Sequence, residues 1–190
     1  MRLGILGGTF DPPHLGHLLA AVDAVERLTL DRLAFIPAAA QPLKAGQPGA
    51  SAEQRLAMVR LLVAGDGRFT VDPIEMERGG LSYSVETLAS YAGRFGDAER
   101  FFLVGADVLR TFDQWREPER VLRLATLVVL TRDDEDGQPG RLPHGAVRLP
   151  TRRVDVSSTE IRGRVAAGRS LRGFVPEAVA DYIATHGLYR

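Results

Sequence analysis

Two histidines stand three residues apart in a segment near the start of the chain that is rich in glycine and proline. Residues 7–17 read GGTFDPPHLGH, directly after an apolar run and directly before a stretch with helical periodicity. The free amides and positive potential of a helix N-terminus attract anions, so the segment predicts a phosphate-binding site. If its last turn is helical, His14 and His17 share one face.

The glycines and prolines of this segment suit a close approach to a ligand. Gly7 and Gly8 let the backbone come near it, and Gly16 leaves room for a base or ribose. Pro12 and Pro13 stiffen the loop. The spacing matches neither the dinucleotide-binding fingerprint nor the phosphate-binding loop that ends in Gly-Lys-Ser or Gly-Lys-Thr, which indicates a different phosphate chemistry.

Two other interpretations of the segment stay open. In the first, the glycines only form a turn and a histidine caps or packs locally. In the second, the two histidines bind zinc, although no third ligand is evident nearby.

A second candidate site lies at residues 156–162, which read VSSTEIR. Ser157 or Ser158 can cap a following helix, and Arg162 lies one turn beyond Ser158. Alone, this pattern is more typical of a capped helix with a surface arginine than of a phosphate site. Together with the histidines it predicts a cradle for a polyphosphate, with the arginine as a basic arm.

Periodicity places both segments on an α/β framework. Strands are predicted at residues 2–6, 33–37, 69–72, 100–104, 124–130 and near 147, and helices at 16–28, 51–64, 84–95, 158–167 and 176–186. Because strands and helices alternate, parallel strands joined by right-handed crossovers are expected. The predicted fold is a Rossmann-like, doubly wound, mostly parallel sheet with helices on both faces and at the C-terminus, in one domain over residues 1–190.

Two loops and one helix start complete this prediction. Ser51, with Gln54 three residues later, has the pattern of a capping box. Residues 38–50 and 132–145 are predicted loops, and the second contains four consecutive acidic residues, 133–136. Consecutive carboxylates rarely converge on one ion, so a solvated loop is favoured there over a metal site.

The composition excludes several function classes. Lys plus Arg and Asp plus Glu each number 24, which argues against broad electrostatic binding to nucleic acid or to an anionic membrane. The absence of cysteine excludes disulfides, thiolate metal sites and a cysteine nucleophile. No apolar stretch has the length of a membrane span and no signal peptide is evident, so a cytoplasmic protein is expected. The oligomeric state stays open, a homo-oligomer included.

Several further segments extend the two candidate sites into a family pattern. They are Phe35-Ile36-Pro37 leading to Lys44, SYSVETL at 82–88, FLVGAD at 102–107 followed by Trp115, Arg132 after a strand, and an ending from Tyr182-Ile183 to Gly187-Leu188-Tyr189. The His-x-Gly-His loop with the Ser-Ser-Thr-x-Ile-Arg helix start resembles HIGH-type nucleotidyltransferases, which share an ancestral site with class I aminoacyl-tRNA synthetases. With the further segments, nearly the whole chain is similar to the bacterial nicotinate-nucleotide adenylyltransferases.

The resemblance implies adenylyl transfer from ATP to nicotinate mononucleotide in NAD biosynthesis, with Mg2+ bound mainly through the ATP phosphates. It implies that His14, His17 and Arg162 are catalytic. The ATP-binding residues that it implies are Gly8, Thr9, Phe10, His14, His17, Gly105, Asp107, Ser157, Ser158, Thr159 and Arg162. Among these, the histidines would contact the phosphates, and Ser157, Ser158 and Arg162 would hold the β and γ phosphates.

The same resemblance implies a mononucleotide site. Its residues would be Lys44, Tyr83, Ser84, Thr87, Asp107, Trp115 and Arg132. Lys44 would reach the phosphate, Trp115 would stack on the pyridine ring, and backbone amides near residues 83–87 would recognise the carboxylate. Core packing is the other interpretation of Trp115.

Three alternative functions follow from the same residues. The acceptor could be nicotinamide mononucleotide or phosphopantetheine instead of nicotinate mononucleotide. The chain could also be a module that senses nucleotides without turnover, although the two histidines and Arg162 argue against it. In a purely structural interpretation, all of these matches are coincidence.

Overall fold

The computed structural model describes residues 1–40, 49–132 and 141–190. The strands are β1 (Arg2–Gly8), β2 (Arg32–Pro37), β3 (Phe69–Val71), β4 (Glu99–Gly105), β5 (Thr126–Arg132) and β6 (Val147–Thr151). The helices are α1 (Leu15–Arg27), α2 (Ala52–Val63), α3 (Ile74–Arg78), α4 (Ser84–Arg94), α5 (Pro118–Leu124), α6 (Ser158–Ala166) and α7 (Glu177–Thr185). Two short 3-10 helices, Ala106–Arg110 and Phe112–Gln114, follow β4.

The six strands form one sheet in the order β3-β2-β1-β4-β5-β6, and every neighbouring pair is parallel. The chain winds outward from β1 in one direction and from β4 in the other, which confirms the predicted doubly wound fold. The order reverses between β1 and β4. In open sheets of this kind the ligand crevice lies at the carboxyl ends of the strands, at this switch point.

Both faces of the sheet are covered, because successive strand residues enter two different apolar clusters. Leu6 and Leu103 pack with buried residues of α1, α2, α6 and α7. Their neighbours Ile5 and Phe102 pack on the other side with α4 and α5. Strands buried on both faces are the continuous apolar runs that the sequence shows.

The fifth strand and its surroundings differ from the sequence prediction. A strand was predicted at 124–130, but Leu124 ends α5 and the strand runs from Thr126 to Arg132. Arg132 therefore lies inside β5 and not after it. The short helices α3 and α5 were not predicted, because five and seven residues give too little periodicity to detect a helical face.

Some expectations lie outside the described residues. These are Lys44, most of the predicted 38–50 loop and the acidic run at 133–136. None of the helices that the structure describes is both long and apolar enough to cross a membrane.

Candidate active site

The histidine segment, called here the signature loop (residues 7–17), joins β1 to α1 at the switch point. His14 is the N-cap residue of α1, with extended backbone at φ −149° and ψ 171°. Nδ1 of His17 accepts a hydrogen bond from the backbone N–H of His14 at 3.2 Å. The ring centroids of the two histidines are 3.7 Å apart, which confirms that they share one face. Because Nδ1 of His17 is an acceptor, the neutral ring carries its proton on Nε2.

The start of the loop is shaped by the ring of Phe10. Phe10 has φ 51° and is only 2% exposed, and its ring packs edge-on against His17 at 5.0 Å between centroids. A Cβ on Gly8 would lie 2.9 Å from that ring, so Gly8 leaves room for it. Phe10 is therefore a core residue of the loop, and its contact with ATP stays a prediction.

Gly16 leaves room for the ring of His14, beside the segment that precedes α6. A Cβ at this position would lie 3.0 Å from Nδ1 of His14 and 3.7 Å from the backbone oxygen of Val156. The glycine therefore leaves room for the His14 ring, whereas a methyl group here would be in ordinary contact with Val156.

The start of α6 is docked on the signature loop. Ser157 is the N-cap, and its hydroxyl accepts from the N–H of Glu160 at 3.1 Å. Ser158 instead donates its hydroxyl to the backbone oxygen of Pro12 at 2.8 Å. The N-termini of α1 and α6 are thereby brought together, and both favour negative charge.

Arg162 connects the same two elements from one turn further along α6. Its Nη1 donates to the backbone oxygen of Asp11 at 2.8 Å, and its Nη2 donates to the hydroxyl of Thr159 at 3.2 Å. The structure thus brings together both candidate sites that the sequence predicted.

Asp11 links the loop to two distant segments. Its Oδ1 accepts from the hydroxyl of Tyr189 at 2.7 Å and from the N–H of Ala50 at 2.9 Å. Burial, followed by the hydrogen bond to Asp11, raises the pKa of Tyr189 well above its usual range. The Tyr189 side chain from near the C-terminus and the backbone N–H of Ala50, just before α2, therefore converge on this carboxylate.

Sequence reasoning did not assign roles to Asp11, Arg55 or Tyr189. Arg55, on α2, is 6% exposed and donates to the backbone oxygen of Thr9 at 2.7 Å. A signal was present, since Arg55 occupies the same helical face as the buried Met58 and Leu62. A charged residue on an apolar face usually has a buried polar partner.

Gly105 and Asp107 lie at the carboxyl end of β4, beside the end of β1. A Cβ on Gly105 would lie 2.6 Å from Oδ1 of Asp107, so the glycine allows the carboxylate to fold back over the end of the strand. Both residues are exposed. Their contacts with a nucleoside stay a prediction.

Trp115 is half-buried and follows the second 3-10 helix. Its ring lies 5.5 Å from that of Phe112 and 6.2 Å from that of Phe102, between centroids. The indole therefore has the core contacts of the packing interpretation. Because the ring is only partly buried, stacking on a pyridine ring stays a prediction alongside core packing.

The residues predicted around the pyridine carboxylate lie at the start of α4. Tyr83 precedes the helix, Ser84 begins it, and the guanidinium of Arg116 lies 4.8 Å from the centre of the Tyr83 ring. Thr87 is 2% exposed, and its hydroxyl donates to Oε1 of Glu75 at 2.6 Å. The Thr87 side chain thus joins α4 to α3 by a buried hydrogen bond. Of Arg132 the structure describes the backbone, at the carboxyl end of β5.

The family assignment follows from this fold and site. The cytidylyltransferase-like family model matches residues 5–164. A doubly wound sheet with two helix N-termini at its switch point, together with this match, defines the class as a nucleotidyltransferase.

Full-length relatives give the narrower family. The chain is 53% identical over 200 residues to a protein of Gemmatimonas aurantiaca named probable nicotinate-nucleotide adenylyltransferase, covering 100% of this chain and 93% of the relative. It is 49% identical over 190 residues to a Thermus thermophilus protein of the same name, covering 100% of both. The chain belongs to the nicotinate-nucleotide adenylyltransferase family.

Solved structures support the fold independently. Plasmodium falciparum nicotinic acid mononucleotide adenylyltransferase complexed with APC has a TM-score of 0.77 at 14% identity, over 99% of this chain and 96% of that one. The same enzyme complexed with NaAD also has a TM-score of 0.77, at 13% identity, over 99% and 97% of the two chains. At such identities the likeness concerns the fold alone.

Proposed function

We propose that this protein transfers the adenylyl group of ATP to nicotinate mononucleotide, giving deamido-NAD and pyrophosphate, as a step of NAD biosynthesis. The observation that carries the proposal is the docking of α6 on the signature loop, through Ser158 to Pro12 and Arg162 to Asp11. It places two histidines, an arginine and two helix N-termini at the switch point of the sheet. The names of the full-length relatives support the choice of acceptor.

The reaction needs no nucleophile from the protein. An oxygen of the mononucleotide phosphate attacks the α-phosphorus of ATP, and a new P–O bond forms. The bond from the α-phosphorus to the oxygen that bridges to the β-phosphorus breaks, and its electron pair leaves with pyrophosphate. A phosphate monoester is largely a dianion at neutral pH, so no base has to remove a proton. Catalysis is then positioning and stabilisation of charge.

Charge develops on the departing pyrophosphate, and the candidate site is rich in groups that favour it. His14 and His17 contact the ATP phosphates in this proposal, while Ser157, Ser158 and Arg162 hold the β and γ phosphates. The hydrogen bonds of Ser158 to Pro12, and of Arg162 to Asp11 and Thr159, orient these two side chains before substrate arrives. Such preorganised donors are worth more in a transition state than donors that must reorganise.

The acceptor is placed on the other side of the crevice. Trp115 stacks on the pyridine ring, and Lys44 reaches the phosphate. Arg132 also binds the mononucleotide, and Asp107 lies near the nucleosides. The first amides of a helix have no acceptor within it, so the start of α4, near Tyr83 and Ser84, supplies donors for the carboxylate. A carboxylate gains more from such donors than an uncharged amide does, which favours the acid mononucleotide.

Magnesium fits this site as an ion carried by the substrate. Among the described residues, no three His, Cys, Asp or Glu side chains lie close enough together to hold a metal ion. Mg2+ typically keeps several waters and binds substrate phosphates with few protein ligands. When bound to ATP it would neutralise part of the phosphate charge, while the histidines and Arg162 orient the phosphates.

The test is pyrophosphate release by the purified protein with ATP and Mg2+, comparing nicotinate mononucleotide, nicotinamide mononucleotide and phosphopantetheine. Strong preference for the nicotinate compound supports the proposal. Preference for another acceptor keeps the reaction type and overturns the substrate. No release with any acceptor, alongside measurable ATP binding, indicates the sensing module instead.

A further inference from the structure

Arg55 is a buried cation between two loops of the active site. It lies on α2 and is 6% exposed. Burial lowers the pKa of its guanidinium, an effect that the nearby Asp11 and Tyr189 oppose. Burying a charge is costly unless it is hydrogen-bonded, so the partners of this side chain indicate why it is there.

Those partners belong to different loops. Nη1 of Arg55 donates to the backbone oxygen of Thr9 at 2.7 Å, in the signature loop. Nη2 donates to the backbone oxygen of Ala39 at 3.0 Å, in the segment that follows β2. A guanidinium is planar and rigid, so two bonds from one fork set the distance between the two loops.

The connection continues from Ala39 to the start of α4. The N–H of Ala39 donates to the hydroxyl of Ser82 at 2.9 Å, and the N–H of Ser82 donates to the backbone oxygen of Ala40 at 2.9 Å. Ser82 immediately precedes Tyr83, at the proposed pyridine site. A continuous line of hydrogen bonds therefore runs from Thr9 through Arg55 and Ala39 to Ser82.

We propose that Arg55 is a positioning residue that couples the ATP side of the site to the mononucleotide side. The proposal rests on the adenylyl-transfer function proposed above and adds a residue that touches neither substrate. With Arg55 in place, a substrate that orders one loop also orders the other. By linkage, each substrate then increases the affinity for the other by the same factor.

The coupling is measured with α,β-methylene ATP, in which a carbon replaces the bridging oxygen that adenylyl transfer must release. The dissociation constant of nicotinate mononucleotide is determined by calorimetry with and without this analogue and Mg2+. For the wild-type protein we expect at least about fivefold tighter binding with the analogue, the lower range of typical coupling. A spatial path of hydrogen bonds is not by itself evidence of coupling. The coupling is therefore measured directly, as the ratio of the dissociation constant without the analogue to that with it.

Three variants test the line of hydrogen bonds from Thr9 to Ser82. Arg55→Met removes the fork, Arg55→Lys keeps the charge but not two separately directed bonds, and Ser82→Ala removes the next link. We expect each to lower the ratio, the Arg55 variants to near one. The Arg55 variants should also lower kcat at saturating substrates by about tenfold or more, because loosened loops misplace the reacting groups. Arg60→Met, at an exposed arginine of the same helix, should leave the ratio and kcat unchanged.

Two results overturn the proposal: a wild-type ratio of one, or variants that keep the ratio and kcat and lose only thermal stability. If Arg55→Met does not fold, Arg55→Lys and Ser82→Ala decide, because they keep the buried charge. Failure of the proposed adenylyl transfer gives a different experimental result. The wild-type protein then releases no pyrophosphate with nicotinate mononucleotide, whatever its binding ratio.

Discussion

The hydroxyl of Tyr189 donates a 2.7 Å hydrogen bond to Oδ1 of Asp11, which lies 178 residues earlier in the chain. Tyr189 holds the left-handed backbone conformation, with φ 63°. A non-glycine residue adopts this conformation when its surroundings stabilise it. The end of the chain is thus joined to the loop that carries the two histidines.

Removing this hydroxyl should destabilise the fold. In Tyr189→Phe the carboxylate of Asp11 loses one of the two donors found among the described residues, so we expect the free energy of unfolding to fall by about 1–2 kcal/mol. Urea denaturation measures the change. Tyr182→Phe is the matched control, because the Tyr182 ring stacks on His186 near the C-terminal end of α7. The free energy of unfolding of this variant should change by no more than about 0.5 kcal/mol. Equal effects in both variants would contradict a special role for the Asp11 contact.

Asp23, on α1, should make stability depend on acid pH. It is 4% exposed and accepts hydrogen bonds from the backbone N–H of Arg152 at 2.8 Å and from its Nε at 2.9 Å. Burial alone would raise the pKa of Asp23, but the hydrogen bonds and charge of Arg152 outweigh it and hold the pKa below its usual range. The unfolded chain then binds the proton more readily, so this stabilisation is present above the unfolded pKa and lost as pH falls through the folded pKa.

Asp23→Asn tests that dependence. We expect a loss of about 1–3 kcal/mol in the free energy of unfolding at pH 7, the usual worth of hydrogen bonds to a charged group. The difference in the free energy of unfolding between wild type and variant should shrink as pH falls from 5 to 3. Urea denaturation at each pH measures this difference. Glu26→Gln, at an exposed acid of the same helix, serves as the control. A difference that is the same at every pH would exclude Asp23 as its source.

The parallel sheet could be predicted because local sequence patterns define its strands. The apolar run around Leu127 to Val129 is typical of a strand covered on both faces, and it is buried on both. Leu124 was assigned to the same strand because an apolar residue at the end of α5 continues the run without a break. Boundaries of this kind depend on tertiary contacts and not on the pattern.

The site was predictable where its residues are close in sequence. His14 and His17 meet because one helical turn separates them, and Ser157 caps α6 as one of two serines proposed for that position. The contacts of Asp11 with Tyr189, and of Arg55 with Ala39, join residues that only the fold brings together. The helical pattern marks Arg55 as a buried charge, but a single sequence carries no local signal for which distant residue it contacts.

Trp115→Ala should mainly weaken mononucleotide binding. The indole is half-buried against Phe102 and Phe112, and its exposed part is available to stack on a pyridine ring. We expect the KM for nicotinate mononucleotide to rise by about tenfold, the scale of an aromatic contact, with a smaller change for ATP. Trp115→Phe, which keeps an aromatic ring, should recover much of the affinity. An unchanged KM in Trp115→Ala would reject stacking and leave packing as the role of this residue.

His17→Ala should lower kcat by about a hundredfold or more at saturating substrates, because one preorganised contact to developing charge is worth that much. The variant also removes the acceptor for the backbone N–H of His14, so part of any loss could come from a weakened helix start. His17→Gln separates the two effects, since a glutamine at this position can accept that N–H as in a capping box but offers no imidazole. We expect His17→Gln to recover thermal stability and not kcat. Recovery of both would assign His17 to helix capping, and near-normal turnover in His17→Ala would remove it from the mechanism.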